Sequence, residues 1–347
     1  MVVRRLTLRH YRSYASLALE LEPGVVLAVG PNGAGKTNLL ESLHVATQGF
    51  SPRTRTDAQL IRFGEPAARV TAAGRSDGRE VETSVTLRQG QAKEARLNGA
   101  RLPSAESLRR ELSTLVFTPD RLAVVKGGPA ARRAYFDRVL GRLAPSHATL
   151  PQEYLAALAQ RNAALRRLQL GLSERAAVEP WTRQVAELGA QLVEQRVAAL
   201  AALEPAFAER AGEFGLTRMR LAYGGEPPTA DQLESRLQRD VDRGATGVGP
   251  HLDDVLVASG DRDLRQFGSQ GEQRLAVLSL LLAEADVLPS RPLLLLDDVL
   301  SELDRARRRI LAERVAQTGQ AMITATDATL LPAEPAQLVE VTHGTAR

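Results

Sequence analysis

Residues 30–37 read Gly-Pro-Asn-Gly-Ala-Gly-Lys-Thr, and no other stretch limits so sharply what this chain can fold into. An apolar run, Val25 to Val29, precedes the octapeptide and a helical pattern over 38–47 follows it. Strand, glycine-rich loop, helix is the context in which G-x-x-x-x-G-K-[ST] becomes a phosphate-binding P-loop. Glycines at 30, 33 and 35 let the backbone curl until several N–H groups point inward at a phosphate chain. The positive end of the following helix adds to that field. The expected cradle is therefore Gly30, Pro31, Asn32, Gly33, Ala34, Gly35, Lys36, Thr37 and Asn38. Lys36 reaches the β- and γ-phosphates as a point charge, and the Thr37 hydroxyl ligates Mg²⁺, so the expected cofactors are ATP and Mg²⁺. Lysine occurs elsewhere only at 93 and 126, which makes an accidental match rarer still.

A second feature completes the first. Pro292-Leu293-Leu294-Leu295-Leu296 ends in Asp297 and Asp298. A wholly apolar run suits a central parallel strand covered on both faces. Its carboxylates then fall at the strand's C-terminal edge, where open α/β sheets bind ligands. Asp297 is expected to hold Mg²⁺ and Asp298 to orient the attacking water, which with Lys36 gives the catalytic set. Between loop and strand lies Gly268-Ser269-Gln270-Gly271-Glu272-Gln273-Arg274, opening an apolar helix. Ser269 followed by Glu272 fits a capping box, and a helix N-terminus also suits an anion.

The remaining pattern places these motifs in an α/β unit interrupted by helices. Strands are expected at 2–8, 16–21, 25–29, 69–73, 80–87, 95–102 and 114–117, with a hairpin turn at Asn98-Gly99. From Pro129 the texture is helical, with helices over 129–142, 151–170, 180–212 and 229–242 and a kink or break at Pro205. A strand over 216–223 returns the chain. After Gly244 the pattern is again α/β: strands at 254–258, 262–267, 293–297 and 321–325, helices at 270–287 and 305–317. The expected domains are 1–128 plus 245–347 as a nucleotide-binding head, with 129–244 as an inserted helical arm.

Composition narrows the function classes. A net charge of +4 on 347 residues gives no global field for nucleic acid, so any basic surface is local. Arg53, Arg55, Arg75, Arg79, Arg132 and Arg133 are the candidate phosphate contacts, and no aromatic-basic interleaving suggests base stacking. The absence of cysteine excludes disulfides and Cys-ligated metals. The N-terminus turns polar too soon for a signal peptide and no run of eighteen apolar residues occurs, so the expected location is cytoplasmic.

The Ser-x-Gly-x-Gln of 269–273 resembles the signature of ABC-type ATPases, and Ser301-Glu302-Leu303-Asp304 resembles their D-loop. Leu8-Arg9-His10-Tyr11-Arg12-Ser13-Tyr14 resembles the N-terminal motif of chromosome-maintenance and repair ATPases. Three further stretches are similar to the RecF family of bacterial recombination mediators. They are Gly49 to Thr56, Val116-Phe117-Thr118-Pro119-Asp120 through Asp137, and Gly249-Pro250-His251-Leu252-Asp253-Asp254. Leu252 stands where that family usually has Arg, and Arg121 where it has an acidic residue. The resemblance implies an ABC-type P-loop ATPase head with a mixed and antiparallel β subdomain and an inserted helical arm, the lobe II of such proteins. It implies a homodimer formed on ATP, in which Ser269, Gly271 and Gln273 of one subunit act on nucleotide held by the other. It implies that Arg12 contacts nucleotide, that Gln48 or Asp120 fills the Q-loop role, and that Thr326 replaces a switch histidine. The implied activity is a weak, DNA-stimulated ATPase acting as a switch. It would bind gapped or junction DNA through the backbone and work with RecR and RecO in loading recombinase. An ABC transporter subunit and a P-loop small-molecule kinase share parts of this pattern.

Overall fold

The structure, a computed structural model, describes the backbone of residues 1–347 and the side chains of all but Arg110, Pro119 and Asp120. Two compact units divide the chain, 1–121 with 288–347 and 122–287.

The first unit carries two sheets. One runs in the order Thr345–Ala346, Gln337–Thr342, Val25–Val29, Ala321–Ala325, Leu293–Leu296, Thr114–Phe117. Its neighbours are parallel except for the C-terminal hairpin. Leu293–Leu296 and Ala321–Ala325 are buried at every position, as strands covered on both faces must be. The helix Lys36–Gln48 leaves the end of Val25–Val29 and stops at Gly49, whose φ of 75° places its N–H on the Val45 carbonyl at 2.9 Å. The second sheet is antiparallel, in the order Tyr14–Glu20, Val2–Tyr11, Ala67–Ser76, Arg79–Arg88, Glu94–Leu97, Ala100–Arg101. Its strands alternate buried and exposed residues. Leu6, Leu8, Val70 and Val85 from this sheet join Val26, Leu39 and Leu43 in one core, so the P-loop helix is sealed on its apolar side. Asn98 and Gly99 both take positive φ, 48° and 81°, which closes the expected two-residue hairpin.

The second unit is mostly helical: Pro129–Leu143, Leu150–Gln169, Glu179–Glu213 and Gln270–Val287, with the short helices Ala230–Ser235 and Leu237–Arg243. A three-stranded antiparallel sheet, Arg262–Asp263, Asp254–Ser259, Met219–Gly224, completes it. The division of compact units differs from the sequence boundaries 128/129 and 244/245. Asp254–Ser259 pairs along its length with Met219–Gly224, and Gln270–Val287 packs on Glu179–Glu213, so residues 245–287 share a core with the arm.

Three local expectations change. Glu179–Glu213 is not divided at Pro205, because Pro205 and Ala201 lie on the exposed side, where the carbonyl that proline cannot serve is open to solvent. The helix expected over 229–242 splits at Arg236. The strand expected over 262–267 ends at Asp263, whose carboxylate accepts from the Arg265 N–H at 2.8 Å and caps the turn Leu264–Phe267 instead. No helix among the described residues is long and apolar enough to cross a membrane.

Candidate nucleotide site

The P-loop lies at the C-terminal edge of the parallel sheet, between Val25–Val29 and the helix beginning at Lys36. Two glycines are required by their surroundings. Any side chain at Gly30 would collide with the Val341 carbonyl, and at Gly35, where φ is 112°, a Cβ would lie 2.9 Å from Ser13 Oγ. At Gly33, with φ 80°, a Cβ would meet nothing within 4 Å, so the loop's outer face is open. The Lys36 ammonium donates to the Gly30 and Pro31 carbonyls at 2.6 and 2.9 Å, holding the loop in a closed ring. Burial pulls the Lys36 pKa down, while the charges of Asp298 and Asp297 hold it up.

The two carboxylates differ. Asp297 is buried, and its Oδ1 accepts from Thr37 Oγ1 at 3.0 Å and from Thr324 Oγ1 at 2.8 Å. Asp298 is exposed, its backbone held at φ 49° and its N–H donating to Thr324 Oγ1 at 2.9 Å. A left-handed non-glycine residue costs about 1–3 kcal/mol and persists where the surroundings fix it. Burial raises the Asp297 pKa, and the hydrogen bonds from Thr324 and Thr37 only partly offset it. No ion pair to Asp297 exists among the described residues. Its hydrogen-bond partners are hydroxyls, so at close range its charge is met by dipoles, with Arg53 and Lys36 acting on it only from beyond ion-pair distance. Two hard oxygen donors 3.0 Å apart, beside an open loop of N–H groups, fit a hard divalent cation that would accompany a phosphate chain. Thr37 and Asp297 are the residues that would hold it.

The N-terminal motif joins this site. Tyr14 Oη donates to the Gly35 carbonyl and Asn38 Nδ2 to Ser13 Oγ, both at 3.1 Å. Arg12, at φ 49°, does not extend freely toward a ligand: Nε and Nη2 each donate to Glu41 at 3.0 Å. Glu41 is fully buried in the P-loop helix and also accepts from Ser51 Oγ at 2.5 Å, with Arg53 Nη1 3.7 Å away. Glu41 and Thr324 are the residues that the sequence reading missed. Thr324 was legible in principle, since parallel pairing sets Ile323 beside Leu296 and so brings residue 324 level with Asp297. Glu41 carried no signal beyond one acid in an amphipathic helix.

Other expected residues fall apart from this cluster. Gln48 is buried and donates to the Leu112 carbonyl at 2.8 Å, an anchor for the helix end. The Asp120 side chain lies outside the described residues. Thr326 is exposed, one residue past the buried strand that presents Thr324. In the second unit Ser269, Gly271 and Glu272 are exposed, and the capping box forms: Ser269 N donates to Glu272 at 2.7 Å and Glu272 N to Ser269 Oγ at 3.2 Å. Gln273 is buried instead, its amide donating to the Leu264 and Gly268 carbonyls at 2.8 and 3.1 Å. Asp304 caps the helix Arg305–Thr318, accepting from Arg307 N at 2.9 Å. Of the candidate DNA contacts, Arg132 is withdrawn: it is 4% exposed and bidentate to Asp254. Arg133 donates to the Asp253 carbonyl, Arg75 pairs with Glu80, and Arg53 lies against Glu41 and Asn38, whereas Arg55 and Arg79 are exposed with no ion pair among the described residues.

The family described as RecF/RecN/SMC N terminal domain matches residues 2–346. The chain is 37% identical to the DNA replication and repair protein RecF of Heliobacterium modesticaldum, over 94% of this chain and 92% of the relative. It is likewise 37% identical to the RecF of Kineococcus radiotolerans, over 100% and 99%. Its fold is similar to the solved structure of the recombination mediator protein RecF-ATP in the RecFOR pathway, with a TM-score of 0.90 and 26% identity over 99% of this chain and 96% of that one. This P-loop protein, with its paired carboxylates and capped signature helix, belongs to the RecF family.

Proposed function

We propose that this chain is an ATP-dependent, DNA-binding recombination mediator. The observation that carries the nucleotide half is the meeting of Thr37, Asp297 and Thr324 beside the open P-loop. ATP with Mg²⁺ supplies the phosphates and the charge that the donors of Thr37 and Asp297 are arranged to hold. Lys36 turns from its loop carbonyls to the β- and γ-phosphates. Asp298, exposed and fixed at its strained backbone, orients the attacking water. Arg12 positions the loop and reaches nucleotide only by loosening from Glu41. The activity is a weak, DNA-stimulated hydrolysis that serves as a switch.

In this reading 1–128 and 245–347 act as the head and 129–244 as the arm. The exposed Ser269 and Gly271 face nucleotide held by a second copy, and Gln273 shapes their turn from behind. The ATP-bound dimer holds gapped or junction DNA through its backbone, works with RecR and the RecO pathway in the cytoplasm, and lets go after hydrolysis. The RecF name of the relatives and the RecFOR pathway named for the similar structure support the DNA-repair half.

The test is binding to a fluorescent gapped duplex at one stated salt concentration, with ATP, with ADP and without nucleotide. Tight binding with ATP alone supports the switch; equal weak binding in all three would sink it and favour a transporter subunit or a kinase. Ser269→Arg should bind ATP as a monomer and fail to dimerise. Normal ATP-driven dimerisation of that variant would remove the trans role of the signature.

A further inference from the structure

The helical unit holds a group of arginines with too little acid to match them. Asp240 is 1% exposed, and both its oxygens are taken: Oδ2 accepts from Arg161 at 2.8 Å and Oδ1 from the Gly247 N–H at 3.0 Å. Arg236 and Arg243 flank the helix Leu237–Arg243 on the same face as Asp240, at i, i+4 and i+7. Their guanidiniums converge above Gly247. A Cβ placed there would lie 3.2 Å from Asp240 Oδ1, 3.5 Å from Arg236 Nη2 and 3.6 Å from Arg243 Nη1. Neither arginine makes an ion pair among the described residues, and Arg236 Nε is shielded from water with no acceptor. The nearby acids are engaged elsewhere, Glu234 with Arg175 and Asp242 with the Gln238 amide. The exposed Arg166 runs its stem past Gly244, where a Cβ would come 3.0 Å from Arg166 Cγ. Glycines at 244 and 247 keep side chains from covering the group.

We propose that Arg236 and Arg243, with Arg166 at the rim, form a phosphodiester site by which the helical unit takes hold of the DNA backbone. A planar guanidinium whose terminal N–H groups have no protein acceptor among the described residues is matched by an acceptor with two oxygens on one centre, as a backbone phosphate has. The carboxylate that would otherwise neutralise the pair is spent on Arg161 and the turn, so net positive charge remains at the surface. The choice of DNA over another polyanion rests on the function proposed above. This site replaces Arg132 and Arg133, whose guanidiniums are committed to Asp254 and Asp253.

The experiment measures affinity of the full chain for a fluorescent gapped duplex, with ATP, across a salt series. The double variant Arg236→Gln, Arg243→Gln should bind about tenfold more weakly near 0.1 M salt, and its slope of log affinity against log salt should be smaller by about 1–2. ATP affinity and the melting midpoint should stay those of the wild type. Arg183→Gln, which removes one charge from an exposed pair with Glu179, is the control for each single charge lost and should change affinity less than twofold, on the order of a single screened contact. Unchanged affinity and slope in the double variant, or an equal loss in the control, would overturn the site. Wild-type protein that binds no duplex would overturn both this site and the functional reading. If the double variant melts early, Arg243→Gln alone decides: the exposed arginine should still lower the slope by about 1.

Discussion

Asp240 in the helical unit and Asp297 in the nucleotide unit are both nearly buried, 1% and 6% exposed, yet they keep different company. Asp240 faces Arg161, itself wholly buried, which also donates to Thr182 and Thr246. Asp254 and Asp137 are likewise gripped by Arg132 and Arg196. Asp297 accepts from two hydroxyls and makes no ion pair among the described residues. Where a buried carboxylate only holds helices together, the chain supplies its counter-charge from within. Asp297 is fixed instead by hydroxyl dipoles that leave its charge unpaired at close range, as the proposed role at a metal requires. The contrast separates the ion-paired acids from Asp297 more sharply than burial does.

Substitutions can break this comparison. The largest effect is expected from Arg161→Ala, which strands Asp240 in the interior and should cost about 3–5 kcal/mol in chemical denaturation. A loss under 1 kcal/mol would show that the network is dispensable. Next comes Lys36→Met, which should weaken ATP binding roughly a hundredfold, about 2.7 kcal/mol, as read by titration with a fluorescent ATP analogue. The same variant should keep its unfolding midpoint, since the hydrogen bonds of Lys36 among the described residues go to two loop carbonyls at an open edge, where water can replace it. Asp297→Asn sharpens the contrast. With no close ion pair to lose, stability should stay within about 1 kcal/mol of wild type. Magnesium-dependent nucleotide binding should fall about tenfold. A stability loss as large as that of Arg161→Ala would erase the distinction drawn between the two aspartates.

The smallest effect concerns acid. Burial pushes the Asp254 pKa up, but the hydrogen bonds from Arg132 and the Val255 N–H outweigh it and leave the group below its ordinary 3.8. A depressed pKa stabilises the fold above the unfolded value, and that stability is lost as pH falls through the folded one. Denaturation midpoints between about pH 6 and pH 3 should therefore decline less steeply in Asp254→Asn than in wild type. Parallel curves would mean the pair adds nothing to acid sensitivity.

Much of the nucleotide site was legible because its parts are local. A P-loop is eight consecutive residues, and the carboxylates close a four-leucine strand whose buried burial pattern follows from composition alone. The helices 270–287 and 305–317 and the strands 114–117 and 321–325 were read within one residue of their ends, since apolar periodicity sets them. The C-terminal strands Gln337–Thr342 and Thr345–Ala346 carry no such signal: the first sits beside Val25–Val29 with Leu338 and Glu340 alternating with Val339 and Val341, too polar to stand out. The signature resemblance gives Gln273 a role toward nucleotide held by a second copy, but its position one turn into an apolar helix turns it inward.

The sequence by itself determined that this chain binds phosphate, where the loop and its carboxylates lie, and which helix opens with a capped serine. Those are properties of short segments, fixed by glycine torsions, strand burial and capping chemistry. Only the tertiary structure decided that Thr324 and Thr37 share one oxygen of Asp297, that Arg12 is held by Glu41, and that Arg132 is spent on Asp254. The partners in those pairs stand 260, 27, 29 and 122 residues apart. Which charge meets which across such separations depends on strand order and register, and on where each buried charge finds the partner it requires.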